Sequence, residues 1–121
     1  MPSPTQQVGQ WHEQRAQSLL QERGMRLLQR NFRCRSGEID LIAQDREHLV
    51  FIEVRSRSHD RQGTAAASIG PRKQQRIIRA AQVFLLRYSQ YQSWPCRFDV
   101  VSFDGEAAGE WIRDAFQVPS P

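Results

Sequence analysis

Asp40 and Glu53 are the residues best placed to do chemistry. They sit in two β-rich runs, Glu38-Ile39-Asp40-Leu41-Ile42-Ala43 and Leu49-Val50-Phe51-Ile52-Glu53-Val54, separated by polar Asp45-Arg46-Glu47. That is the pattern of a hairpin. Closed symmetrically, with Asp45 opposite His48 and Gln44 opposite Leu49, the hairpin sets Asp40 opposite Glu53. Directly opposed residues of an antiparallel pair have Cβ atoms ~5 Å apart, so both carboxylates project from one face. Two like charges that close either raise one pKa or bind a cation, and hard oxygen donors suit Mg²⁺ or Mn²⁺ better than zinc. The same register sets Glu38 opposite Arg55, while Ile39, Leu41, Ile52 and Val54 point the other way into the core. The plain alternative is a solvated face of a half-buried sheet. Against it, both strands are apolar enough to be central, and four ionisable side chains between flanking helices call for an open cleft.

A second group is basic. Arg72, Arg76 and Arg79 follow i, i+4, i+7 spacing on one side of a predicted helix, opposite the stripe Ile77, Ala81, Phe84, Leu85 and Tyr88. Taken alone, such a ridge is most simply a solvated helix face. Joined to Arg57, Arg61 and Lys73, it would hold phosphates beside a metal through contacts that carry no sequence preference. Trp11, Trp94 and Trp111 are better explained by core or edge packing than as base-stacking platforms.

The elements that position these residues follow from periodicity and turn chemistry. Val8 to Arg23 reads as a helix closed by Gly24, and Met25 to Arg33 as a strand ended by Ser36-Gly37. The acidic hairpin follows. Ser56 to Gly70 reads as a long loop with room for a helical turn at Thr64–Ala67, and Pro71 opens a second helix ending before Trp94-Pro95. Arg97 to Phe103 alternates as a fourth strand, and Glu110 to Phe116 is a short terminal element. The order α-β-β-β-α-β predicts an α/β fold with a mixed sheet flanked by helices. At 121 residues and 39% hydrophobic content, the chain 1–121 reads as one domain, with 1–8 and 117–121 as flexible tails.

Composition narrows the partners. Formal net charge is +4 with a pI near 9.8, and of 17 basic residues only Lys73 is lysine. A polyanion partner and a GC-rich genome explain the arginines equally well. No stretch has signal-peptide character or the ~20 apolar residues of a membrane helix, so a cytoplasmic protein with no membrane partner is expected. Cys34 and Cys96 lack metal or disulfide spacing and read as reduced, partly buried thiols. No Gly-rich ligand-binding loop is present.

Gly37-Glu38-Ile39-Asp40-Leu41-Ile42-Ala43 followed by Phe51-Ile52-Glu53-Val54-Arg55-Ser56-Arg57 strongly resembles the YraN family of bacterial nuclease-like proteins. The likeness extends to Glu13 with Ala16, Arg30-Asn31-Phe32-Arg33, Pro71-Arg72-Lys73, Arg97-Phe98-Asp99-Val100-Val101 and Trp111-Ile112-Arg113-Asp114-Ala115-Phe116. It implies a restriction-endonuclease-like αβββαβ core related to Holliday junction resolvases, and by that analogy a homodimer. It also implies that Asp40 and Glu53 match the acids of a PD-(D/E)xK signature, with the Val54 carbonyl completing the metal shell and Glu13 joining from the first helix. The signature's lysine is Arg55 here. An arginine can steady an attacking water or a phosphoryl oxygen but cannot serve as a base.

Two functions follow. In the first, Asp40, Glu53 and Arg55 form the catalytic group of a Mg²⁺- or Mn²⁺-dependent endonuclease acting on DNA, including branched DNA. In the second, the chain is a non-catalytic nucleic-acid-binding module with a degenerate nuclease site. A protein-interaction subunit using neither metal nor DNA leaves the opposed acids unexplained.

Overall fold

Gly24 adopts φ 81°, a left-handed conformation that costs glycine little, and the chain turns there from the first helix into the sheet. The computed structural model describes residues 4–57, 69–104 and 109–118. The elements are α1 (Pro4–Glu22), β1 (Arg26–Cys34), β2 (Gly37–Asp45), β3 (His48–Arg57), α2 (Pro71–Arg87), a 3₁₀ turn at Ser89–Tyr91, β4 (Cys96–Asp104) and β5 (Glu110–Phe116). α1 therefore begins earlier than the apolar periodicity suggests, within residues expected to be a tail. The terminal element is a strand. Arg61 and the expected turn at Thr64–Ala67 lie outside the described residues.

Among the described residues the strands form one five-stranded sheet in the order β1-β2-β3-β4-β5. β1, β2 and β3 run antiparallel, α2 carries the chain over to β4 parallel to β3, and β5 returns antiparallel. This mixed α/β arrangement is consistent with a restriction-endonuclease-like αβββαβ core. The hairpin register is the symmetric one, Asp45 on His48 through Leu41 on Ile52, with Arg46 at φ 57° in the two-residue turn.

Each helix covers one face. Ala16 and Leu20 of α1 bury Leu41, Ala43, Val50, Ile52, Val101 and Phe103. Ile77, Ile78, Ala81 and Phe84 of α2 bury Phe32, Ile42, Leu49, Phe51, Phe98 and Val100 on the other. Strands buried on both faces read as near-continuous apolar runs, as these do. Ile39 departs from the expected alternation. It packs with the α2 cluster rather than beside Leu41; the regular β2–β3 ladder stops at Leu41, while β2 stays paired with β1 down to Gly37.

Where the ladder stops, α2 sits close against β2. A Cβ at Gly37 would lie 2.9 Å from the Arg76 carbonyl oxygen and 3.1 Å from the Arg76 Cβ. Only glycine allows this approach. Gln74 adds a hold at the start of the helix, donating from Nε2 to the Ile69 carbonyl at 2.9 Å.

Among the described residues, no helix is long and apolar enough to cross a membrane. Cys34 is half-buried, Cys96 is exposed, and both are free.

Candidate acidic cleft

Asp40 and Glu53 fall one step past the last regular pair of the hairpin, Leu41 and Ile52. The next strand-to-strand contact is not backbone to backbone. The Val54 amide donates to Asp40 Oδ2 at 2.8 Å, so the carboxylate fills the place of a ladder carbonyl and is fixed by it. A cleft of about 650 Å³ opens here on the α2 side of the sheet. Its acids are Glu38, Asp40 and Glu53, and its cations are Arg33, Arg72, Lys73 and Arg76.

Glu53 is buried, with its side chain 7% exposed, and Lys73 Nζ stands 2.7 Å from its Oε1. Lys73 comes from the first turn of α2. Burial, with the Glu53 charge beside it, pushes the Asp40 carboxyl up to about 7, and the Val54 amide and Lys73 hold it back only in part. Glu13 of α1 belongs to the same field. Burial and the charges of Asp40 and Glu38 raise its carboxyl, against the opposing pull of Arg33 and Arg30. Its neighbour His12 holds that part of α1 in place. The His12 ring stacks on Phe103 at 4.7 Å, and its Nδ1 lies 2.9 Å from Ser56 Oγ on β3.

The structure brings some of the expected residues together and separates others. Asp40, Glu53, Lys73, Arg72 and Arg76 share the cleft. Glu38 does not face Arg55 but pairs with Arg33 of β1 at 3.3 Å, because the β2–β3 ladder has ended. Arg55 is half-buried beside Ser102 of β4 and is held in interactions of its own; it is not among the residues lining the cleft. The Val54 group that meets Asp40 is the amide. Arg79 lines a separate groove with Gln75 and Gln82. Arg57 closes β3, and of it only the backbone is described.

One cleft residue, Arg33, and one contact, that of Lys73 with Glu53, escape a reading by pattern. Lys73 reads as a surface phosphate contact, and Arg33 reads only as part of a strand. The signal for Lys73 was its place two residues after Pro71, in the first turn of a helix, where a cation opposes the helix dipole. Among the described residues no group of three or more His, Cys, Asp or Glu side chains converges as a metal-ligand set.

The family model that matches this chain, Uncharacterised protein family UPF0102, aligns with residues 12–103, three-quarters of the chain and all the elements of the cleft. The chain belongs to the UPF0102 family. It is 52% identical to a UPF0102 protein of Nitrosococcus oceani over 122 residues, covering 98% of both chains. It is 51% identical to one of Alkalilimnicola ehrlichii, over 98% of this chain and 93% of the relative. A UPF0102 protein of a Janthinobacterium species shares 52% over 112 residues. UPF0102 is the family whose motifs the sequence resembles under the name YraN, and its match takes in Glu13, Asp40, Glu53 and Lys73 alike.

Proposed function

We propose that this UPF0102 protein is a metal-dependent phosphodiesterase acting on DNA, branched DNA included, in the cytoplasm. The single observation that carries the reading is the pairing of Asp40 and Glu53 in one cleft, where burial and mutual repulsion push Asp40 up to about 7. A buried Glu53 beside a half-buried Asp40 gains from a divalent cation, and hard oxygen donors suit Mg²⁺ or Mn²⁺. The donors on which this reading rests are the two carboxylates of the cleft. Asp40 and Glu53 would hold the ion, with Glu13 and the Val54 carbonyl as further donors and water in the remaining positions. When bound, the ion supplies charge neutralisation at the phosphoryl group and an acidified water.

The protein's own groups account for the rest of the reaction. The Val54 amide fixes Asp40, and Arg33, Arg72 and Arg76 on the cleft wall receive the flanking phosphates. Water adds to phosphorus and releases a proton to solvent, the bond from phosphorus to the leaving sugar oxygen breaks, and that oxygen takes up a proton from solvent. The products are a phosphate monoester and a hydroxyl. Arg55, two residues beyond Glu53 on the same strand, would contribute its charge from outside the cleft lining in this scheme, and a second copy of the chain would present a second cleft to a branched substrate.

A second reading, a nucleic-acid-binding module without turnover, is favoured by Arg55 standing two residues beyond Glu53, where a lysine would be needed as a base. One experiment separates the two. Branched, single-stranded and duplex DNA are incubated with wild type and with Asp40→Asn, with Mn²⁺ or EDTA. Cleavage by wild type that requires metal and falls at least ~10²-fold in Asp40→Asn supports the enzyme. Binding by both proteins without cleavage supports the module.

A further inference from the structure

Lys73 is the one lysine among 17 basic residues, and it stands where a cation is locally disfavoured. The first turn of α2 has no acidic residue, and the exposed amides of a helix start repel positive charge. The compensation is Glu53. Its carboxylate is buried, and Lys73 Nζ meets it at 2.7 Å. The arrangement is built rather than incidental. Gly37 lets α2 press against β2 at Arg76, and Pro71 and Gln74 set where the helix begins. The Lys73 side chain is 44% exposed, so its stem can swing while its root is fixed.

We propose that Lys73 is the resident counterion of the cleft, holding Glu53 in the metal-free protein, yielding it to a divalent ion, and then placing its ammonium on the substrate's phosphoryl oxygens. The proposal rests on the reading of Asp40 and Glu53 as a metal site. It moves the charge expected from Arg55 to a residue on a different element. Asp40 feels the same ammonium, so one cation lightens the repulsion between both acids until a divalent ion replaces it. No proton transfer by Lys73 is required, and its charge is enough.

The consequence is competition. A positive charge in contact with a ligand carboxylate opposes binding of a second cation, so neutralising it tightens metal binding. The test measures Mn²⁺ affinity by calorimetry and DNA cleavage in wild type, Lys73→Gln and Lys73→Arg, with folding of each checked by circular dichroism. Gln retains a donor for Glu53 and lacks the charge, whereas Arg retains the charge. The expected result is that Lys73→Gln binds Mn²⁺ ~10-fold more tightly than wild type while cleaving ~10²-fold more slowly, and that Lys73→Arg stays close to wild type in affinity. If Lys73→Gln binds Mn²⁺ no more tightly than wild type, the counterion role is wrong although the acidic metal site stands. If wild type binds no Mn²⁺ at all, both the counterion role and the metal site fall together.

Discussion

Asp40 carries two opposed demands. Its carboxylate accepts the Val54 amide at 2.8 Å, which favours the charged form, yet burial and Glu53 push the group from 3.8 to about 7. The net shift is upward, so the folded chain keeps a proton that the unfolded chain has already released. Stability contributed by protonated Asp40 is therefore complete below about pH 4 and is lost as pH rises towards 7. Asp40→Asn retains an oxygen for Val54 and has no charge to bury. In EDTA at about pH 8 the variant should be more stable than wild type by on the order of 2 kcal/mol, with the difference vanishing near pH 4. Urea unfolding at the two pH values measures this. A variant no more stable than wild type at the higher pH would show that Asp40 is not under electrostatic strain. That Asp40 and Glu53 come to one cleft was legible in the sequence, since a symmetric hairpin brings them near each other even though the regular ladder ends one pair earlier. The Lys73 contact was not, because it depends on how closely α2 packs on β2.

At the level of elements, the hairpin register was legible because apolar alternation and the short polar turn at Arg46-Glu47 admit few closures. The face of Ile39 was not, since strict alternation would set it beside Leu41, whereas it packs with the α2 cluster. The conspicuous run Arg97-Phe98-Asp99 proves to be a fastener. Arg97 Nε meets Asp99 Oδ1 at 3.1 Å and its Nη2 meets Asp45 Oδ2 at 2.9 Å. Trp111 Nε1 donates to Asp99 Oδ2 at 2.9 Å, and the Asp114 amide donates to Asp99 Oδ1 at 3.0 Å. One buried carboxylate thus ties β4 to β5, and through Arg97 to the end of β2. Asp99→Ala leaves the buried Arg97 with only Asp45 of its two carboxylate partners, and two donors without their acceptor. It should cost ~3–5 kcal/mol by urea unfolding. A cost below ~1 kcal/mol would show that the network is dispensable.

On the scale of the whole molecule, the cleft exists because the two helices lie on opposite faces of one sheet and each reaches its edge of the site. α1 delivers Glu13 into the field of Asp40, α2 delivers Arg72, Lys73 and Arg76, and the hairpin supplies the acids. The element order and mixed sheet could be read from periodicity, but the division of the basic residues could not. Arg72, Arg76 and Arg79 share one helical side in sequence. In the fold the first two turn to the cleft and Arg79 to another groove. All these elements meet at one proposed divalent-metal site, and Mn²⁺ titration by calorimetry tests it most directly. Wild type should bind Mn²⁺, and the Asp40→Asn, Glu53→Gln double variant, folded by circular dichroism, should lose that binding. Equal Mn²⁺ affinity in the two proteins would contradict the account.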